Sequence, residues 1–156
     1  MKYLILFILS STFALSNIKE STFLYYEIQG AQKGLLAPNF EVKLYEASTD
    51  SINEGSLRFR AGVSVFNLVL FSWSPSYLAG IHYISGHKKK LDLGVAIVYE
   101  NYKDFHYFNT ATSISFTVGF RHSIGDDWFI GGAICPTYSK QNIPSYPVSF
   151  KFGFSL

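Results

Sequence analysis

The stretch Tyr146–Leu156, YPVSFKFGFSL, decides the fold. Val148, Phe150, Phe152, Phe154 and Leu156 share one parity, and Ser149, Lys151, Gly153 and Ser155 share the other. A repeat of two is that of a β-strand, whose successive side chains point to opposite faces. One face of this strand is wholly apolar, and the other is small or cationic. A soluble protein has to cover such a phenylalanine row, whereas a transmembrane β-barrel turns it toward lipid.

Working outward, the same alternation recurs along the chain. Leu24, Tyr26 and Ile28 oppose Tyr25, Glu27 and Gln29; Phe40, Val42 and Leu44 oppose Asn39, Glu41 and Lys43. Leu57, Phe59, Ala61, Val63 and Val65 oppose Arg58, Arg60, Gly62 and Ser64. Tyr77, Ala79, Ile81 and Tyr83 oppose Leu78, Gly80 and His82, and Leu91 to Tyr99 opposes Asp92, Gly94 and Ala96. Ile114, Phe116, Val118 and Phe120 oppose Ser113 to Arg121, and Trp128–Tyr138 alternates weakly. With the terminal strand, this predicts eight strands of about nine to eleven residues, the span of a tilted membrane strand. Eight is also the smallest even number common in such barrels. No sustained helical periodicity appears. The expected fold is all-β, an eight-stranded antiparallel transmembrane β-barrel.

Composition agrees. The 156 residues are 18% aromatic and 15% charged, against about 25% charged in average globular chains. A net charge of +2 argues for no nucleic-acid partner. The single cysteine, Cys135, excludes an internal disulfide and a multi-cysteine metal site. Met1-Lys2, the apolar run Tyr3–Leu15 and the small-x-small Ala14-Leu15-Ser16 form a secretory signal pattern. The run is too short for the roughly 20 residues of a spanning helix. The expected domains are a cleaved signal peptide, 1–16, and an outer-membrane β-barrel, 17–156.

The face opposite the apolar one carries glycine, serine and threonine with Glu27, Glu41, Lys43, Arg58, Arg60, Asp92, Glu100, Arg121 and Lys151. Eight strands leave an interior just wide enough for side chains, so small residues suit it. Four acidic and five basic groups nearly balance, as a closed lumen requires, because an unpaired buried charge costs several kcal/mol. These nine residues are the expected lumen charge network. Tyr25, Tyr26, Tyr45, Trp73, Tyr77, Tyr83, Tyr99, Tyr102 and Trp128 lie near predicted strand ends, where an aromatic girdle would sit. With both termini on the periplasmic side, the outside loops are Gln32–Leu35, Asn67–Ser74, Asn101–Thr112 and Ser139–Ser145. The turns at the other end are Glu46–Gly55, Gly86–Lys90 and Ser123–Asp127.

The order of these segments resembles the small outer-membrane β-barrel proteins of Gram-negative bacteria, a largely uncharacterised family. The carrying features are YYEIQG before NFEVKLYE, LRFRAGVSVF, and P-x-Y-x-x-G at Pro75–Gly80. They continue with LDLGVAIVY after a Gly-His turn, VGFRHSIGDDWFIGGAICPTY, and the terminal FKFGFSL. The family's terminal residue is typically Phe; here it is Leu156, with Phe154 two before it. The resemblance implies outer-membrane lipid as surroundings and the barrel-assembly machinery, which reads the C-terminal strand, as a partner. It implies no cofactor and no catalytic residues.

Residues for chemistry are sparse. His82, His87, His106 and His122 are scattered with no metal-ligand spacing. His122-Ser123 invites comparison with barrel lipid A deacylases, but neighbours on a strand point to opposite faces and cannot pair as base and nucleophile. Cys135 reads as an inert core thiol. The expectation is a non-enzymatic, monomeric outer-membrane protein with a closed, salt-bridged lumen and a structural or surface-interaction role. A pore, a lipid-modifying enzyme and a soluble lipocalin-like lipid binder are the alternatives. Tyr102, Phe105, His106, Tyr107 and Phe108, in the polar-aromatic loop Asn101–Thr112, form the candidate interaction surface.

Overall fold

The computed structural model describes residues 22–32, 37–47, 55–67, 72–104, 107–139 and 145–156. The segment expected to be a signal peptide lies outside the described residues. The strands are β1 (Thr22–Ile28), β2 (Ala37–Ala47), β3 (Gly55–Asn67), β4 (Ser72–Ser85) and β5 (Lys89–Asp104). They continue with β6 (Tyr107–Ile124), β7 (Trp128–Ile134), β8 (Thr137–Ser139) and β9 (Val148–Ser155). All pairings are antiparallel: β1 to β7 follow one another in sequence order, β8 also lies along β6, and β9 lies beside β7. β9 pairs back onto β1, with Leu24 opposite Phe154 and Tyr26 opposite Phe152, which closes the sheet.

β7 and β8 both lie along β6 and make one stave, so the barrel has eight. The stave is interrupted at Cys135-Pro136, because proline has no N–H to give a ladder. The sheet holds across the break: Phe116 N donates to Pro136 O at 2.8 Å, and Cys135 N donates to Pro147 O at 2.8 Å. Pro38 is likewise near a strand start, at the second residue of β2.

The two faces divide as their parity predicts. Along β5, Leu91, Leu93, Val95, Ile97 and Tyr99 are exposed, while Asp92, Ala96, Val98 and Glu100 are buried. β9 exposes Phe150 and Phe152 and buries Ser149 and Lys151. The same holds around the wall, so the apolar face is the outer one. Its inner face has two zones. Toward the turn end and the middle lie the charged groups. Toward the loop end lies a small apolar cluster of Ala31, Leu78, Ala96, Val98, Ala133 and Cys135.

Four expectations are corrected. Tyr25 is no girdle residue: it shares the parity of Glu27 and is fully buried inside. The bulge between Lys43 and Tyr45 breaks the β2 alternation, leaving Leu44 and Tyr45 both exposed. The first outside loop does not begin in solvent. Gln29 takes φ 60°, and the chain folds inward, burying Gly30, Ala31 and Gln32. Gln32 Nε2 donates to Ser76 O at 3.4 Å and Ser76 Oγ donates to Gln32 O at 3.3 Å. Finally, Asn101–Thr112 is no open loop. β5 and β6 stay paired up to Asp104 opposite Tyr107, with Tyr102, Tyr107 and Phe108 in the ladder and Phe105 and His106 outside the described residues.

The closing seam admits no side chain at Gly153. A Cβ there would stand 2.2 Å from Tyr25 Cβ and 2.6 Å from Leu24 O. Gly153→Val is expected to destabilise the barrel by about 3 kcal/mol through overpacking, read as a lower urea midpoint. Gly132→Ala is the control: its Cβ would lie 3.4 Å from the Phe120 ring, and its effect should stay within about 0.5 kcal/mol.

Candidate functional site

The densest chemistry lies inside the barrel. Each strand from β1 to β6, and β9, places at least one polar or charged group there. Arg121 on β6 is the centre. Its Nη1 and Nη2 donate to Glu41 Oε2 and Oε1 at 2.8 and 2.6 Å, and its Nε donates to Asp92 Oδ2 at 2.9 Å. The fork-on-fork pairing to Glu41 is the strong, directional kind. Lys151 Nζ donates to the same Asp92 Oδ2 at 2.8 Å and lies 3.9 Å from Glu27 Oε1. Arg60 closes the far side. Its Nη2 pairs with Glu27 Oε2, and its Nε donates to Asn39 Oδ1 at 2.9 Å.

His82 joins the two halves. Its Nδ1 lies 2.7 Å from Asp92 Oδ1 and its Nε2 lies 3.4 Å from Arg60 Nη1. An imidazole protonated on Nδ1 fits both partners, donating to the carboxylate and accepting from the guanidinium. Three carboxylates (Glu27, Glu41, Asp92) thus meet three cations (Arg60, Arg121, Lys151) in one connected ring. The rings of Tyr25 and Phe129 fill the space beside it. Arg60 and Arg121 each lie 5.4 Å from the Tyr25 centroid, and Arg121 lies 4.9 Å from that of Phe129.

Small residues make room for these groups. Gly94 leaves space for the His82 ring and Gly62 for the Asn39 amide, each within 2.6 Å of where a Cβ would stand. Gly131 on β7, in the seventh stave, sits in register between Arg121 and Lys151.

The nine expected lumen residues therefore separate. Glu27, Glu41, Arg60, Asp92, Arg121 and Lys151 are brought together. Arg58 is buried nearer the turn end, over the Phe23 ring at 4.5 Å, with its Nε donating to Ser56 Oγ at 3.2 Å. Glu100 is buried toward the loop end, opposite Ser76 and Ala111. Lys43 belongs to the rim, where it pairs with exposed Glu46 at 2.8 Å. The expected set lacks two members of the ring, His82 and Asn39. Asn39 shares the parity of Glu41 on its strand, which is the available signal, and His82 has the inward parity of Ser76 and Leu78 on a strand with no charged residue.

No Ser-His pair forms at His122-Ser123. Ser123 lines a cavity of about 50 Å³ at the turn end with Arg121, Asp126 and Asp127, while His122 has the opposite parity, that of outward-facing Phe120. Cys135 is buried, with Thr137 Oγ1 donating to its carbonyl at 3.0 Å. Among the described residues, no three His, Cys, Asp or Glu side chains are grouped to hold a metal ion. No family model, curated protein or solved structure matches this chain.

A charge ring of this kind stabilises only as a complete set. Arg121→Met would leave Glu41 and Asp92 buried without their shared partner, and should cost about 3–5 kcal/mol. The double substitution Arg121→Met with Glu41→Gln should recover part of that loss. Denaturant unfolding of both variants checks this.

Proposed function

We propose that the chain is an integral outer-membrane β-barrel protein with a closed, salt-bridged lumen and a structural or surface-interaction role. The observation that carries this reading is the polarity of the wall, which is the reverse of a water-soluble barrel. Phe120 is 63% exposed, Phe150 62% and Ile97 59%, while Glu27, Glu41, Arg60 and Asp92 are 0% exposed. Monomeric soluble proteins rarely expose contiguous apolar patches beyond a few hundred Å². Here the exposed row runs through Tyr26, Phe59, Ile81, Val95, Ile114 and Ile130, one on each of six staves, and on to Phe152.

Hydrocarbon surroundings suit such a face, and a closed barrel satisfies every ladder hydrogen bond without an edge. Exposed Tyr45, Tyr83 and Trp128 toward the turn end, and Tyr77, Tyr99 and Tyr138 toward the loop end, suit two interfacial girdles. The ring of buried charges supports a lumen that does not conduct. A lipocalin-like carrier needs an apolar interior cavity, and the ring occupies that space. An external groove of about 670 Å³ is floored by Gly132 between Phe120 and Phe150, and it suits a lipid-facing surface rather than an entrance. Secretion through a cleaved signal peptide, insertion by the barrel-assembly machinery and a monomeric state complete the proposal.

Two measurements test it. The unboiled protein should resist carbonate extraction from the membrane pellet and migrate faster on gels than the boiled protein; recovery in the soluble periplasm would overturn the reading. Separately, Ile97→Arg should destabilise the barrel by about 2–4 kcal/mol in a bilayer, as a cation on a lipid face does. A change within about 0.5 kcal/mol, typical of a water-exposed site, would count against lipid contact.

A further inference from the structure

The charge ring balances itself, with the carboxylates of Glu27, Glu41 and Asp92 against Arg60, Arg121 and Lys151. Arg58 and Lys90 lie beyond it, at the turn end of the lumen. Arg58 on β3 is buried, and Lys90 on β5 is half-buried. Together with Ile84 they line two small cavities of about 50 Å³ each. Arg121 lines the first of these as well, and Lys90 is its register partner across β5 and β6. Like charges set directly opposite destabilise a ladder. Arg121 is met on its ring side by Glu41 and Asp92, so the cavity side of this pair is cationic.

Carboxylates border the cavities too, Asp126 and Asp127 the first and Glu46 the second. Their position decides the sign of the site. Each is exposed at the rim, where water and salt screen it. Glu46 accepts from Lys43 Nζ at 2.8 Å, and Asp127 Oδ1 accepts from Ser155 Oγ at 3.2 Å. Arg58 is withdrawn from water, so its field is screened least. Its guanidinium is also oriented: it lies over the Phe23 ring at 4.5 Å, and its Nε donates to Ser56 Oγ at 3.2 Å. These contacts fix the plane of a fork, the geometry that recognises oxyanions, and the Lys90 ammonium adds a point charge beside it. A cavity of about 50 Å³ has room for about three water-sized groups, which is the bulk of the terminal oxygens of a phosphate group.

We propose that Arg58 and Lys90 form a binding site for a phosphate group at the turn-end mouth of the barrel. The phosphate is that of a lipid headgroup or of the free ion. The site belongs to the interior of the fold and stands whether or not the outer wall meets lipid.

The test is calorimetric titration of inorganic phosphate into the folded full-length protein, held in a phosphate-free, non-ionic detergent at constant ionic strength. Saturable binding of one phosphate per barrel is expected. Arg58→Gln and Lys90→Gln should each weaken it about tenfold, the worth of one charge-assisted hydrogen bond. Lys88→Gln and Lys89→Gln, at exposed lysines of the same turn, should change it by about twofold at most. Each variant is first verified as a heat-modifiable barrel. Arg58→Lys, which keeps the charge and gives up the fork, replaces Arg58→Gln if that chain does not fold. No saturable binding, equal affinity for chloride, or a loss shared equally by the Lys88 and Lys89 variants overturns the proposal. Phosphate that binds in detergent and not in phosphatidylcholine nanodiscs supports the site with a lipid headgroup as occupant; equal binding in both supports it with the free ion. Carbonate extraction reports on the outer wall alone, so this site and the membrane reading can fail separately.

Discussion

Arg121 is held by two carboxylates at once, Glu41 from β2 and Asp92 from β5, and the barrel interior is arranged around that triple contact. Removing charges from water costs several kcal/mol per ion unless each finds good partners. The ring meets this by sharing. Asp92 accepts from Arg121, Lys151 and the His82 side, while Arg60 spans Glu27, Asn39 and His82. The glycines follow from the same constraint. A narrow barrel has no spare volume, so each bulky polar group needs a neighbour that gives up its own side chain. Gly94 does this for His82 and Gly62 for Asn39.

The inward turn at the loop end serves the same packing. Glu27 reaches back over its own strand end, and its carboxylate occupies the space a Cβ on Gly30 would need. Gly30 therefore lets the chain fold over Glu27, and Ala31 and Gln32 then cover the barrel above the ring. One glycine thus links the strand-to-loop transition to the electrostatics beneath it.

Much of this was legible from the chain alone because a strand's parity is rigid. Once Leu57–Phe66 or Tyr146–Leu156 is read as a strand, every side chain in it is assigned to a face, and charged residues of like parity are bound to meet inside. What parity cannot supply is position along the barrel axis. Lys43 has interior parity, but the bulge beside it puts it at the rim with Glu46. Tyr25 looks interfacial by residue type and lies instead beneath two guanidiniums. Polar composition made Asn101–Thr112 resemble a loop, although β-ladders form wherever two strands continue side by side, as Tyr102 and Asn109 do. His82 has inward parity, but a lone histidine among Leu78, Gly80 and Ile84 carries no pattern that marks it as part of a charge network; its role appears only when Asp92 and Arg60 are brought from neighbouring strands.

The closure of β9 onto β1 bears on how the molecule comes to exist. Lys151 reaches Asp92 from 59 positions further along the chain, and Arg121 reaches Glu41 across 80. Contacts of such separation form late and slow folding. Until the terminal strand docks, Asp92 and Glu27 lack their lysine, and a sheet of the earlier strands presents an incomplete set of charges beside an open edge. A partly built wall is thus penalised twice, by its unpaired backbone and by its unbalanced interior. Both penalties vanish in the same step, which makes assembly all-or-none and gives the chain's final segment the deciding role in whether a barrel forms.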